Sequence, residues 1–212
     1  MLNFKANVKK FMDGYLKDEH SRYRSYDYCH KLFLENRNRL NEKIIDDLAL
    51  NLYTFLASWG MVCRTGILMK IDYKYLYKAV EVVCKDEYSW LIDIDIFAAD
   101  FNRDKYVQSV LKLKKELDDA IFAGTDYKHK DTVICKIMLA TLGCIHAYDT
   151  YIVKNLRALK YTGVCSEKGL YSILNFARDY KVDIQAVQAE YEGKTLVKYS
   201  PMKFIDMALW AE

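Results

Sequence analysis

The chain has 212 residues, of which 52% are hydrophobic and 29% charged, with a formal net charge of +3. That mixture excludes extended disorder, and so small a net charge does not by itself announce a nucleic-acid binder. One proline and eight glycines are too few turn residues for an all-β fold, so the expectation is all-α: a compact orthogonal bundle of about nine to eleven helices forming a single domain over 1–212.

Phe4, Val8, Phe11, Met12 and Tyr15 recur at helical spacing, which predicts an amphipathic helix ending near Leu16 or Lys17. "SRYRSYDYCHKLFLENRNRL" then reads as loop into helix, with Ser25 as a cap and Tyr28, Leu32 and Phe33 facing inward. From Ile44 to Cys63 the pattern is apolar nearly all round, and Asp46 and Asp47 in its first turn complement the dipole; this predicts the central helix of the fold. Gly60 and Gly66 bracket its end, and a further helix is expected over "ILMKIDYKYLYKAVEVVCK". "WLIDIDIF" alternates like a strand, yet among helices it is assigned to a short helix or loop.

Tyr106, Val110, Leu113, Leu117 and Ile121 mark the next helix, closed by Gly124. Asp131 and Thr132 can cap a helix running to Leu142, where Gly143 breaks it. A new helix begins near Ala147, with Tyr148, Tyr151, Ile152, Leu156 and Leu159 inward. Ser166 opens another after Gly163, a short one covers "VDIQAVQAEYEG", and Pro201 starts the last, as proline does at a first helical position.

The six cysteines form no CxxC pair and read as buried free thiols rather than metal ligands. The N-terminal stretch is too charged for a signal peptide, and the apolar run from Leu48 to Cys63 is shorter than the ~20 residues that a span needs. These features point to a soluble, cytoplasmic protein with no membrane partner. Residues 1–43 carry ten Lys/Arg against six Asp/Glu, residues 150–203 nine against five, and the middle is acidic. A basic face built from both ends can attract phosphates, whereas a mixed solvated surface is the plainer outcome.

Phosphate-binding glycine loops, zinc-binding histidine pairs and a GxSxG elbow are all missing, so no cofactor and no metal is expected. Attention falls on "KIMLATLGCIHAYDTYIVKNLR", Lys136 to Arg157, together with "LYTFLASWGM" (Leu52 to Met61) and "YSPMKFIDMALW" (Tyr199 to Trp210). With these three blocks the chain resembles an uncharacterised group of bacterial all-helical proteins. More distantly it is similar to the helix-hairpin-helix DNA glycosylases, in which a catalytic aspartate stands in the first turn of the helix after a hairpin and a lysine lies upstream. The resemblance implies Asp149 and Lys136 in those roles. The hairpin of that group carries two glycines, and "TLGCIHA" supplies only Gly143.

The chemistry has a physical rationale. An ionised carboxylate at a helix N-terminus stabilises positive charge developing on a sugar, and a desolvated lysine that loses its proton can attack as an amine. Trp59, Tyr148, Tyr151 and Trp210 are candidates to line a pocket for an extruded base, with Arg64, His146 and Lys154 as polar partners for a nucleic acid or other ligand. Each has a plainer role as well: Asp149 as a helix cap, Lys136 as a lysine snorkelling off a buried helix, His146 as a loop residue, the tryptophans as core, Arg64 as a charge at a helix end. The leading expectation is a DNA-associated protein with a glycosylase-like core, active on a base or a binding relic. The alternatives are a non-enzymatic protein-interaction factor, such as a helical adaptor or a phage defence or counter-defence protein, and third a small-molecule binder.

Overall fold

The computed structural model describes residues 2–62, 67–124 and 130–210. Among them are ten α-helices and no strand: α1 (Phe4–Lys17), α2 (Ser25–Asn36), α3 (Glu42–Ser58), α4 (Tyr77–Val83), α5 (Arg103–Phe122), α6 (Lys130–Leu142), α7 (Thr150–Ala158), α8 (Glu167–Asp179), α9 (Lys181–Tyr191) and α10 (Pro201–Trp210). Four short 3-10 turns lie in three of the connections. Buried side chains from α1 through α10 form one apolar cluster. None of the described helices is long and apolar enough to cross a membrane.

Helix starts follow local chemistry. Asn3, Asn41 and Asn102 each accept a hydrogen bond from the backbone N–H three residues on, at 3.2, 3.0 and 2.9 Å, and Ser166 does the same for Gly169 at 3.2 Å; each satisfies a donor that has no partner within its helix. Ser25 is the first residue of α2 rather than its cap, and its hydroxyl instead donates to the Arg22 carbonyl at 2.7 Å. The helix expected over "ILMKIDYKYLYKAVEVVCK" is broken up: 3-10 turns cover Ile67–Lys70 and Tyr73–Leu76 before α4 begins. Asp72 restarts the chain there by accepting from the Lys74 N–H at 2.9 Å.

The central helix is not α3. Its buried residues, Leu48, Ala49, Leu52, Phe55 and Leu56, make one stripe, while Leu50, Thr54 and Ala57 face outward; the apolar count concealed an ordinary amphipathic helix. Instead α6 and α10 are enclosed on all sides: every residue from Val133 to Leu142 and from Pro201 to Leu209 is buried. Asn7 of α1 and Asn155 of α7 donate to the carbonyls of Ala208 and Leu209 at 2.8 and 2.7 Å. The last turn of α10 therefore keeps its hydrogen bonds inside the core, and Trp210 is fixed between α1 and α7.

The connection from α6 to α7 is buried from Gly143 to Tyr148. Gly143 adopts φ +62, and a Cβ there would collide with Asp93 Oδ1, so glycine is required twice over. Side chains from distant elements satisfy this turn. Ser200 donates to the Gly143 carbonyl at 2.6 Å, Tyr106 to that of Cys144 at 2.8 Å and Thr132 to that of Tyr148 at 2.9 Å, while Asp206 accepts the Ala147 N–H at 2.9 Å. The result is a rigid approach to α7.

Candidate functional site

Lys136 sits midway along the buried α6, and its ammonium faces Asp149 at the start of α7. Asp149 is the N-cap of α7: its Oδ1 accepts the Ile152 N–H at 3.1 Å. Its other oxygen, Oδ2, faces Lys136 Nζ at 3.4 Å. Capping and pairing with the lysine are thus carried by separate oxygens of one carboxylate. The lysine and aspartate side chains are 6% and 14% exposed, and what exposure they have opens into a cavity.

That cavity has a volume of about 600 Å³, ample for a nucleobase-sized ligand. Lys10 and Phe11 of α1, Arg22 and Tyr23 of the turn before α2, Trp59 to Met61 after α3, Lys136, Asp149 to Tyr151, and Trp210 line it. Its walls are aromatic. Phe11 and Tyr23 stack with centroids 4.4 Å apart, and the ring planes of Phe11 and Trp59 are within 2° of parallel. Trp210 stands edge-on to Trp59 at 5.7 Å and to Tyr23 at 5.9 Å, with Tyr151 at 6.5 Å on its far side. Ser25 Oγ accepts from the Trp59 indole N–H at 3.1 Å and so fixes that ring's rotation.

Cations gather on these rings. Lys136 Nζ lies 5.3 Å from the Trp59 centroid and the Arg22 guanidinium also 5.3 Å from it. A second lysine, Lys203 of α10, is only 1% exposed and lies 4.4, 5.0 and 5.7 Å from the rings of Tyr26, Phe11 and Trp59. Burial pulls its proton affinity below the usual lysine range, against the favourable charges of Asp206, 3.6 Å away, and Asp27. Asp27 is itself buried and saturated by the Tyr15 and Tyr199 hydroxyls and the Leu196 N–H. It is a structural carboxylate with no open face.

Five of the residues singled out in the sequence meet in this cavity: Lys136, Asp149, Trp59, Tyr151 and Trp210. Three do not. His146 is fully buried in the α6–α7 connection, with neither ring nitrogen bonded to a group among the described residues, and desolvation pushes its pKa down to about 3; it is a neutral packing residue against the Tyr148 ring, 4.2 Å away. Tyr148 is turned inward with it and is 5% exposed. Lys154 points outward from the solvent face of α7, away from the cavity that the first turn of that helix reaches. Arg64 lies outside the described residues. Sequence reasoning overlooked Phe11, which its spacing marked only as core, and Arg22 and Lys203, which lie in the stretches "SRYRSYDYCHKLFLENRNRL" and "YSPMKFIDMALW".

Among the described residues no group of three or more His, Cys, Asp or Glu side chains could hold a metal ion, and five cysteines, Cys29, Cys84, Cys135, Cys144 and Cys165, are buried free thiols. Fold and site together define an all-α protein with a buried lysine–aspartate pair opening into an aromatic cavity. Compared with family models, with curated proteins and with solved structures, the chain matches none.

Proposed function

We propose that the cavity is a base-binding pocket and that the protein is a nucleic-acid-associated factor with DNA-glycosylase-like chemistry. The observation that supports this most is the 3.4 Å approach of Lys136 Nζ to Asp149 Oδ2 within an aromatic-walled cavity. A planar base extruded from a strand stacks against Trp59, Tyr23 or Trp210. Asp149 Oδ2 takes a proton from the ammonium of Lys136. The free amine then forms a bond to the sugar C1′ as the bond from C1′ to the base breaks. The electron pair of that bond leaves with the base, which takes up the proton shed by the nitrogen newly bonded to C1′; the C1′–O4′ bond then breaks, its pair going to O4′ with the proton held by Asp149, and a protonated imine remains on Lys136. Because Asp149 Oδ1 is held by the Ile152 N–H, its partner oxygen is already aimed before substrate arrives.

Borohydride reduction of the imine tests the reading directly. Wild-type protein incubated with oligonucleotides carrying damaged bases or an abasic site should give a covalent adduct on gels in borohydride. Lys136→Met should give none, and Asp149→Asn should slow adduct formation by about a hundredfold or more. Absence of adduct with every oligonucleotide, together with no DNA binding at low salt, would remove the proposal.

A further inference from the structure

Arg22 stands at the mouth of the cavity on an exposed turn, its guanidinium carbon 5.3 to 5.6 Å from the centroids of Tyr23, Trp59 and Trp210. Contact with the rings uses none of the five N–H donors of a guanidinium. Among the described residues none of those donors meets a carboxylate or carbonyl. Neighbouring arginines behave otherwise: Arg24 donates to the Asp18 carbonyl at 3.2 Å, and Arg37 to those of Val83 and Lys85, each at 3.3 Å. Among the described residues that line the cavity the one carboxylate, Asp149, has both oxygens engaged. Asp149 is thus not open to Arg22, and among the described lining residues Arg22 carries the one guanidinium, in contact with three rings and with its hydrogen-bonding edge unspent.

We infer that Arg22 binds the phosphate adjoining the base in the pocket, so that the unit recognised is a nucleotide of a strand and not a free base or nucleoside. This rests on the base-pocket reading above. The guanidinium fork matches two phosphate oxygens at once, and its side chain is already ordered by the rings, so little freedom is lost when the phosphate arrives. Aromatic faces for the base and an unspent cation at the rim for the phosphate are the two halves of one ligand.

The emission of Trp59 and Trp210 reports the experiment. Deoxyadenosine, deoxyadenosine 5′-monophosphate and an oligodeoxyadenylate are titrated into wild type, Arg22→Met and Arg22→Lys. Wild type should bind the monophosphate about tenfold more tightly than the nucleoside. Arg22→Met keeps the stem over the rings without charge; it should bind the nucleoside within about twofold of wild type and lose the preference for phosphate. With the oligonucleotide, its log–log salt slope should be shallower by about 0.7. Arg22→Lys should fall between, since an ammonium lacks the fork. A strand rather than a lone nucleotide is the natural ligand if the oligonucleotide binds more tightly than the monophosphate at low salt. Equal wild-type affinity for nucleoside and monophosphate, or a phosphate preference that persists in Arg22→Met, overturns the assignment of Arg22 and leaves the base pocket standing. Failure of all three ligands to bind overturns both.

Discussion

Two lysine–aspartate pairs flank the indole of Trp59, and they are built alike. In each the carboxylate divides its oxygens, one accepting a backbone N–H and the other facing a lysine: Asp149 takes Ile152 N–H and Lys136, and Asp206 takes Ala147 N–H and Lys203. The lysine separations are 3.4 and 3.6 Å. They differ in what lies beyond. Lys136 and Asp149 open into the cavity, whereas Lys203 and Asp206 are closed in by α1, α2 and the α6–α7 connection, with side chains 2% and 8% exposed. Access, and not the chemical identity of the pair, separates a candidate for chemistry from a fixture of the core.

Breaking the sealed pair should have the largest effect. Asp206→Ala strands the Lys203 ammonium among Phe11, Tyr26 and Trp59 and leaves the Ala147 N–H without its acceptor. The expected loss is about 3–5 kcal/mol of unfolding free energy, read from the urea midpoint. A loss below about 1 kcal/mol would mean that water reaches Lys203 after all, and the contrast between the pairs would collapse.

His146 lies in the chain between the two members of the open pair, one residue before Ala147 and three before Asp149. In the unfolded chain it titrates at about 6.5, while burial pushes it down to about 3 in the fold, opposed by the charge of Asp149. Between those values the unfolded state binds more protons. The contribution is therefore intact above the unfolded value and is lost as pH falls toward the folded one, by at most about 1.4 kcal/mol per pH unit. Urea midpoints at neutral, mildly acidic and more acidic pH should fall in wild type and fall less steeply in His146→Leu, a substitution of similar volume. Parallel curves for the two proteins would show that His146 is not sealed as described.

Much of this architecture is legible in the chain because helix boundaries depend on neighbours in sequence. Phe4 to Tyr15, the break at Gly143 and the start at Pro201 all fall where spacing and turn chemistry put them. The pairing of Lys136 with Asp149 was also within reach, since both lie on one short segment. The centre of the fold was not, because α6 and α10 owe their enclosure to contacts made across the whole length of the chain, and an apolar count cannot tell a wide stripe in α3 from a helix covered all round. Arg22 and Phe11 were missed for the same reason. They join Trp59 and Trp210 only when α1 and the following turn fold over the end of α10, a meeting that leaves no local pattern.

The smallest expected effect concerns the open pair, and it separates the two duties of Asp149. Alanine there removes the acceptor for the Ile152 N–H and should cost about 1 kcal/mol; asparagine caps as well as aspartate and should cost only a few tenths of a kcal/mol. Neither value includes the full penalty of a stranded buried charge, because Lys136 can turn its ammonium toward water in the cavity, a route that Lys203 lacks. If Asp149→Asn proved as destabilising as Asp206→Ala in the same urea series, the cavity would have to be closed to water around Lys136, and the pocket would lose its claim to take a ligand.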